Sequence, residues 1–262
     1  MREEPVTELV DVLARRAPVL DLLADGPREK RDLRDLLGVS RSTAYKARRE
    51  LEELGLVRTE GGRVTLTQFG RLARRQYDGF LAGIERITAA RPIIESVPDD
   101  ATLPLALVVR GQQVCGERHA PERPLARFEV LAGDATHIKC VSPVAMPRYL
   151  SRIRERVSDD DLVVELVLEP GAVDRLDTDP DFRATLESDA VALYEHDAHL
   201  PYGLVILDDA AVAFVSYTDQ GAVAGLAVSD DIDACAWATA AYERHRAAAR
   251  ELGADSATRG RN

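Results

Sequence analysis

One face of residues 40–55 carries a dense set of side chains that can form hydrogen bonds with DNA. Apolar positions three or four apart define a narrow helical face, made of Ala44, Ala47, Leu51 and Leu54. Basic and hydroxyl-bearing side chains fill the opposite face: Arg41, Ser42, Thr43, Tyr45, Lys46, Arg48 and Arg49. Arginine can form two hydrogen bonds with a guanine edge in the major groove, and lysine and hydroxyl groups can hold phosphates. The segment therefore predicts a helix that reads double-stranded DNA, with a solvated amphipathic helix as the alternative.

A second group of side chains with binding chemistry lies in residues 195–202. His196, Asp197 and His199 could offer two imidazoles and a carboxylate to a metal ion, yet no fourth ligand lies nearby in the sequence. Ligand sites in open α/β sheets tend to lie at the carboxyl ends of strands, and this segment falls between two predicted strands. We therefore expect no metal there. We expect His196, His199 and Tyr202 to contact a small-molecule effector at a pocket rim, with an ordinary exposed loop as the alternative.

Sequence signatures of catalysis are absent from the chain. There is no glycine-rich phosphate loop and no serine nucleophile elbow, so we expect no catalytic residues and no cofactor. Cys115, Cys140 and Cys235 lie far apart and include no CxxC pair, which favours reduced thiols over disulfides or a zinc site. A redox-sensing thiol stays open as an alternative.

The chain has 262 residues, which is long enough for two domains. Its charge is unevenly distributed. Residues 1–90 contain 17 basic and 15 acidic side chains (+2), whereas the remainder contains 17 basic and 30 acidic ones (−13). This balance is typical of a DNA-binding head on a body that DNA repels. The scarcity of lysine indicates adaptation to the salty cytoplasm of a halophilic archaeon, although high-GC coding would also favour arginine. Without a signal-peptide pattern or a long apolar run, we expect a cytoplasmic protein that does not enter a membrane.

The elements around the basic helix are predicted to hold it against DNA. Residues 7–24 form an apolar helical pattern, in which Pro18 predicts a kink or a break into two helices. Residues 29–37 form a second short helix that leads through a glycine-containing turn into the basic helix. Beyond it, residues 56–59 and 63–66 alternate as two strands around a glycine-rich turn.

Three helices followed by a β-hairpin resemble a winged helix-turn-helix domain, which we place at residues 1–75. The hairpin tip, or wing, of such domains usually meets phosphate or the minor groove, so Arg58 and Arg63 are candidate DNA contacts. A winged helix can also serve as a protein-docking module, and this alternative stays open.

Residues 67–90 predict one long helix whose apolar stripe is longer than a small head needs to cover. The stripe consists of Phe69, Leu72, Ala73, Tyr77, Phe80, Leu81, Ile84 and Ile87. We therefore expect residues 76–101 to form a dimerisation helix and a linker, and we expect the protein to be a homodimer.

Residues 102–252 alternate between strand and helix patterns. They predict a mixed α/β sheet domain, which gives the chain as a whole an α+β fold. Strands are predicted at residues 103–109, 137–141, 162–168, 191–194, 203–207, 211–217 and 222–228. Helices are predicted at residues 146–157, 172–176, 181–186 and 230–252. Residues 111–123 show no clear pattern, and the small, polar tail at residues 253–262 predicts disorder.

A resemblance to a known family is carried by residues 201–209, 211–217 and 225–231. These segments resemble archaeal transcriptional regulators in which a winged-helix head precedes a C-terminal domain named after a methanogenesis regulatory protein. The resemblance implies a sequence-specific DNA-binding regulator whose acidic C-terminal domain senses an effector or mediates association.

Residues 201–209 also distantly resemble one half of the phospholipase D fold. Enzymes of that class use a histidine nucleophile, a lysine two positions later and an aspartate five positions after the lysine. If Asp208 corresponds to the aspartate, Pro201 occupies the histidine position and Gly203 the lysine position. Because the nucleophile and the cation are then both missing, we expect a catalytically inactive domain. A phosphodiesterase-like enzyme with an appended winged helix is the alternative.

Overall fold

A computed structural model of the chain describes residues 6–95, 97–99, 101–146, 150–179, 185–186, 188–218 and 220–252. The chain divides into two compact units, Met1–Glu85 and Arg86–Asn262, which we call the head and the body. Within the described residues, no helix combines the length and apolar character needed to cross a membrane.

The head combines helices with a small antiparallel sheet. Its elements are α1 (Val6–Ala24), β1 (Arg28–Glu29), α2 (Lys30–Leu37), α3 (Arg41–Glu53), β2 (Val57–Glu60) and β3 (Arg63–Leu66). The strand order is β1-β3-β2. The three predicted helices and the predicted hairpin are confirmed, whereas the pairing of β1 with β3 has no signal in the sequence.

Helix α1 continues through Pro18, so the expected break into two helices is wrong. Val19, Leu20 and Leu23 lie beyond the proline and are buried in the core of the head. Burying each such side chain stabilises the second half of the helix by roughly 1.5–3 kcal/mol, which offsets the hydrogen bond that proline removes.

The turn between β2 and β3 depends on two glycines. Gly61 and Gly62 have φ angles of 56° and 84°, in the left-handed region that other residues rarely adopt. Two consecutive positive φ angles make a tight turn whose twist matches that of a β-hairpin. The hairpin then buries Val57, Val64 and Leu66 in the head core.

A long helix, α4 (Gln68–Ala89), follows the hairpin. Thr67 caps it, because its Oγ1 accepts a hydrogen bond from the Gly70 amide (2.9 Å). Gly70 lies so close to Leu56 that a Cβ would fall 1.9 Å from the Leu56 carbonyl oxygen, so only glycine fits there. A short helix, α5 (Arg91–Ile94), comes next, with Pro92 in its first turn.

The body is built on one mixed sheet. Its elements are α6 (Leu105–Val109), β4 (Gln112–Cys115), α7 (Arg123–Gly133), β5 (His137–Ser142), α8 (Leu150–Ser158), β6 (Val163–Leu168), α9 (Pro170–Asp177), β7 (Val191–Glu195), β8 (Gly203–Leu207), β9 (Ala211–Tyr217), β10 (Val223–Ser229), α10 (Ile232–Ala248) and β11 (Arg250–Leu252). Eight strands lie in the order β11-β7-β6-β5-β8-β9-β10-β4. Strands β5, β6 and β7 are parallel, and the other pairs are antiparallel. The predicted α+β fold class is confirmed.

Each face of the body sheet is covered by helices. Helix α10 packs on one face through small alanines and Tyr242, against Val141, Val167 and Phe214. Helices α7 and α8 pack on the opposite face, where they meet the alternate side chains of β5, β6, β8, β9 and β10. The sheet therefore separates two apolar layers, and consecutive residues of each strand point into different layers.

Two predicted elements of the body are corrected by the structure. Leu105–Val109 is helix α6, so the strand predicted at residues 103–109 is wrong. A short apolar run in the sequence does not distinguish a buried strand from a buried helix. The closing helix predicted at residues 230–252 ends at Ala248, because Arg250–Leu252 pairs with β7 as strand β11.

Residues 111–123, which show no pattern in the sequence, contain β4, and α7 follows without having been predicted. The other predicted strands and the helix at residues 172–176 are confirmed. The helix predicted at residues 146–157 corresponds to α8, which is described from Leu150. Met146 is not helical, and residues 147–149 lie outside the described residues. Most of the helix predicted at residues 181–186, and all of the tail at residues 253–262, also lie outside them.

Candidate functional site

Helix α3 begins and ends where the sequence predicts. The Ser40 Oγ accepts a hydrogen bond from the Thr43 amide (3.2 Å), which satisfies one of the free amides of the first turn. Gly55 has a φ of 69°, and the next amide, of Leu56, returns to the Leu51 carbonyl (2.9 Å). This left-handed glycine ends the helix and turns the chain into the hairpin.

The back of α3 is fastened to α1. Ala47 and Leu51 are buried in the head core. Glu50 binds two arginines of α1, Arg15 (3.0 Å) and Arg16 (2.8 Å). The hydrogen bond from Arg16 is the main reason that the pKa of Glu50 is lowered. These contacts fix the orientation of α3 and leave its basic face outward.

Arg48, predicted to contact DNA, is engaged within the head. Its guanidinium forms an ion pair with Glu52 and a hydrogen bond with Thr59 of β2 (3.4 Å), and Thr59 in turn donates to Glu52. The Arg48 side chain is only 15% exposed, and it lies over the Tyr45 ring at 5.3 Å. Arg48 therefore joins α3 to the hairpin and fixes their relative geometry.

The exposed part of the predicted interface comprises Arg41, Ser42, Thr43, Tyr45, Lys46 and Arg49 of α3 and Arg58 and Arg63 of the hairpin. Arg49 forms an exposed ion pair with Glu53 (2.7 Å), whose hydrogen bond raises the pKa of Arg49. Arg58 pairs with Glu60 (3.1 Å).

Arg41, Lys46 and Arg63 form no ion pair within the part of the chain that the structure describes. Lys46, Arg48 and Arg49 each have a glutamate four positions later, so sequence spacing alone does not separate the paired from the unpaired cations.

The two histidines of the predicted effector site lie in different environments. His196 is buried, with its Nδ1 3.1 Å from the Ala198 carbonyl oxygen. His199 is exposed, and its Nδ1 lies 3.0 Å from Glu169. Among the described residues, no three His, Cys, Asp or Glu side chains form a group that could hold a metal ion.

Tyr202 is also buried, in an aromatic cluster on the α10 face of the sheet. Its ring centroid lies 4.9 Å from that of Phe214 and 6.1 Å from that of Trp237. The His245 ring contacts both Tyr202 (6.2 Å) and His196 (5.2 Å). The expected position at a pocket rim is therefore wrong for His196 and Tyr202, because packing against α10 buries them.

A polar network lies on the same face of the sheet. Glu165 of β6 accepts a hydrogen bond from Tyr242 (2.9 Å) and lies 3.1 Å from His137 Nε2. Arg246 Nε is 3.6 Å from Glu165, and Arg246 also donates to the Tyr194 hydroxyl (3.1 Å). The Glu165 carboxylate is thus saturated by internal partners, as expected of a group that positions α10 on the sheet.

Asp208, the residue compared with the phospholipase D aspartate, is part of a turn. It and Asp209 have φ angles of 52° and 54° and connect β8 to β9. The Asp208 Oδ1 accepts hydrogen bonds from the amides of Thr136 (2.9 Å) and His137 (2.8 Å) and from the Thr136 hydroxyl (2.9 Å). Burial opposes ionisation, yet these bonds lower the pKa of Asp208 overall. Asp209 pairs with Lys139 (2.8 Å).

The opposite face of the sheet contains a feature that sequence reasoning missed. A cavity of about 170 Å³ lies between α7, α8 and strands β5, β6, β8, β9 and β10. Side chains from all of these elements line it, among them Phe128, Ile153, Val164, Val205, Val215 and Leu226. No local pattern could have revealed it, because its walls come from segments separated by as many as a hundred residues.

The thiols offer little support for redox sensing. Burial raises the pKa of Cys115, of Cys140 (to about 12) and of Cys235. A raised pKa decreases the fraction of reactive thiolate at neutral pH. The three side chains are partly buried and free of disulfides.

Two family models match the chain. Residues 121–248 match the middle domain of the methanogenesis regulatory protein FilR1. Residues 4–89 match the HVO_A0261 N-terminal domain. These matches support the class of archaeal transcriptional regulators for this chain. No curated protein sequence matches it.

Distant structural likenesses accompany these matches. TrmBL2, an archaeal chromatin protein with a novel mode of DNA binding, is 16% identical, with 94% of this chain and 99% of that chain covered at a TM-score of 0.43. Nuc, a phospholipase D family member from Salmonella typhimurium, is 11% identical over 55% of this chain and 99% of that chain, at a TM-score of 0.41. NucT from Helicobacter pylori is 11% identical over 54% of this chain and 98% of that chain, at a TM-score of 0.42.

Proposed function

We propose that the protein is a sequence-specific transcriptional regulator whose head binds double-stranded DNA as a winged helix-turn-helix. The observation that carries this proposal is the placement of Arg41 and Lys46, exposed and free of ion pairs on a helix that Glu50 and Arg48 hold rigidly. Cations that need not break an internal ion pair can bind bases or phosphates at little cost. The two family matches support the same function.

The contacts are divided between α3 and the hairpin. Helix α3 enters the major groove, where Arg41 reads a base edge and Lys46 and the hydroxyls of Ser42 and Thr43 hold phosphates. Arg63, with Arg58 beside it, meets the backbone from the hairpin. Arg48 acts as a positioning residue that keeps these two elements in register.

Helix α4 associates with α4 of a second copy. Five of its large apolar side chains are exposed: Phe69, Leu72, Phe80, Leu81 and Ile84. A two-fold dimer covers this face, and it also presents two reading helices to half-sites about one DNA turn apart. The acidic body and the scarcity of lysine favour function in a halophilic cytoplasm.

The body binds an effector without transforming it. If Asp208 corresponds to the phospholipase D aspartate, Pro201 and Gly203 occupy the histidine and lysine positions, and the Asp208 Oδ1 already accepts hydrogen bonds from two backbone amides. A regulator needs a second site whose occupancy changes DNA affinity, typically by about 1–3 kcal/mol.

Selection of sequences from random duplex DNA by the full-length protein in molar salt tests the proposal. We expect a recovered consensus, which Arg41→Ala relaxes at one base pair while Arg63→Ala weakens all sequences about equally. Arg75→Ala, an exposed arginine of α4, is the matched control and should change neither. If the wild type enriches no sequence, the head is not a sequence reader and the protein-docking alternative gains.

A further inference from the structure

The cavity under α7 and α8 has the size of a small-molecule site. At about 170 Å³ it compares with an engineered apolar cavity of about 150 Å³ that stays dry and binds benzene. It is partly open to solvent, so a ligand can reach it without unfolding the body. A single ring with one small substituent fits this volume.

The walls of the cavity are almost entirely apolar, because alternate residues of the strands point to this face. Ile138, Val205 and Val215 are buried there in one cluster with residues of α7 and α8. Such a surface favours hydrocarbon groups, because binding removes apolar area from water. The lining therefore selects an apolar ligand body.

One polar group in the lining has unused hydrogen-bonding capacity. Ser142 Oγ donates its one hydrogen to the Val144 carbonyl (2.8 Å). In the 3.1 Å hydrogen bond between the Ser142 and Tyr217 hydroxyls, Tyr217 is therefore the donor. The Tyr217 oxygen then keeps a free lone pair, and no other donor among the described residues bonds to it. Burial raises the pKa of Tyr217, which keeps the hydroxyl protonated in its donor role.

Gly203 makes room for this hydroxyl. A Cβ at that position would lie 2.6 Å from the Tyr217 hydroxyl oxygen and 3.1 Å from the Val215 Cβ. Ser142 and Gly203 lie at the carboxyl end of β5 and the start of β8, where the parallel part of the sheet ends. This is the end of a sheet at which ligands commonly bind.

We propose that this cavity binds a small, uncharged, largely apolar molecule whose hydroxyl or amine group donates a hydrogen bond to Tyr217. The charged side chains at the lining, Glu129, Arg152 and Arg156, include both signs, and Arg156 is bound to the Ala132 carbonyl (3.1 Å). They do not select a net charge. Regulation of DNA affinity by such a ligand rests on the proposed function. Binding of the ligand to the cavity does not depend on it.

The test uses the full-length protein and two probes of equal size, phenol and toluene, measured by ligand-observed NMR and by thermal shift. We expect both to bind the wild type, and phenol to bind more tightly. Tyr217→Phe should weaken phenol about tenfold and leave toluene unchanged, since one hydrogen bond is lost. Cys140→Met adds bulk to the lining and should abolish binding of both.

The two proposals can fail separately. If neither probe binds the wild type, or if Tyr217→Phe and Cys140→Met bind both probes as the wild type does, the cavity assignment is overturned. Tighter binding of benzoate than of phenol would overturn the uncharged ligand. The selection of DNA sequences is done without either probe, so it tests the proposed function independently of the cavity.

Discussion

The head and the body differ in the chemistry of their candidate binding surfaces. In the head, ion pairs at the back of α3 hold a surface on which Arg41 and Lys46 stay exposed and unpaired. In the body, Lys139 pairs with Asp209, Arg110 with Asp231 and Arg250 with Glu195, and the candidate ligand site is a cavity lined mostly by apolar side chains. The net charges, +1 for the head (16 basic and 15 acidic side chains) and −12 for the body (18 basic and 30 acidic), describe this difference only coarsely.

Exposure and the absence of an ion pair together mark a candidate recognition surface. Arg48 and Arg41 belong to the same basic helix, yet Arg48 joins α3 to the hairpin while Arg41 is available to a partner. Charge count alone would rank them equally. The body shows the converse, since the cavity under α7 and α8 is lined mostly by apolar side chains.

The largest effect on DNA affinity is expected from the unpaired cations of the head. Changing Arg41 and Lys46 together to Ala should lower affinity for the selected DNA about a hundredfold or more, because a base contact and a phosphate contact are both lost. Arg110→Ala with Arg250→Ala, two paired arginines of the body, is the control and should leave affinity unchanged. Fluorescence anisotropy with labelled duplexes measures both. Equal losses in the two double variants would mean that pairing does not distinguish the units.

The next prediction concerns the apolar face of α4. The wild type should scatter light as a dimer of about 57 kDa, twice the 28.7 kDa chain. Leu72→Asp with Phe80→Asp should halve this mass, because buried unpaired carboxylates oppose association, and should weaken DNA binding with it. Ala82→Asp adds a carboxylate at an exposed position that is turned about 160° from Phe80 around the helix, so it should stay dimeric. A wild type that is monomeric in molar salt contradicts the prediction.

A smaller effect, on the stability of the body, is expected from the two aspartates of the turn between β8 and β9. Asp208→Ala should lower the free energy of unfolding by about 2 kcal/mol, since it removes three hydrogen bonds to a carboxylate. Asp209→Ala has the same left-handed backbone and should cost less, because it removes one ion pair in which the Asp209 side chain is 58% exposed. Urea denaturation gives both values. Since the folded pKa of Asp208 is lowered, the difference between the variants should be present at neutral pH and shrink as the pH falls through the range of that carboxyl.

The smallest effect is a pH dependence from the aromatic cluster. Burial, and then the neighbouring His196 and Arg244, lower the pKa of His245 in the folded protein. The unfolded chain therefore takes up a proton first as the pH falls below about 6.5, and this proton uptake reduces stability. His245→Phe should flatten the decline between pH 7.5 and 5.5 in thermal unfolding. An unchanged slope would show that His245 is protonated without penalty.

Local chemistry explains why much of the head could be predicted from the sequence. Ser40 and Gly55 limit α3, and Gly61-Gly62 defines the hairpin turn, through interactions within a few residues. The errors arise where distant residues decide. Val19 and Leu20 keep α1 continuous by packing, and β1 and β11 exist only because partners far along the chain pair with them.

The candidate sites follow the same division. The basic face of α3 can be read from helical spacing. The role of Arg48 depends on Thr59 of the hairpin, because Lys46 and Arg49 also have a glutamate four residues later. The burial of His196 and Tyr202 depends on His245 and Trp237 of α10, which no local pattern connects to them. The Tyr217 hydroxyl gains its significance from Ser142 and Gly203, which lie on two other strands.

The lengths of the outermost strands of the body sheet have a consequence for its behaviour at high concentration. Strand β11 has three residues and β4 has four, whereas the inner strands have five to seven. The exposed Arg250 and Glu251 place full charges on one rim. Short, charged rims discourage a foreign strand from extending the sheet. The body is thereby protected against amyloid-like growth, so association between copies can be directed to a helix face.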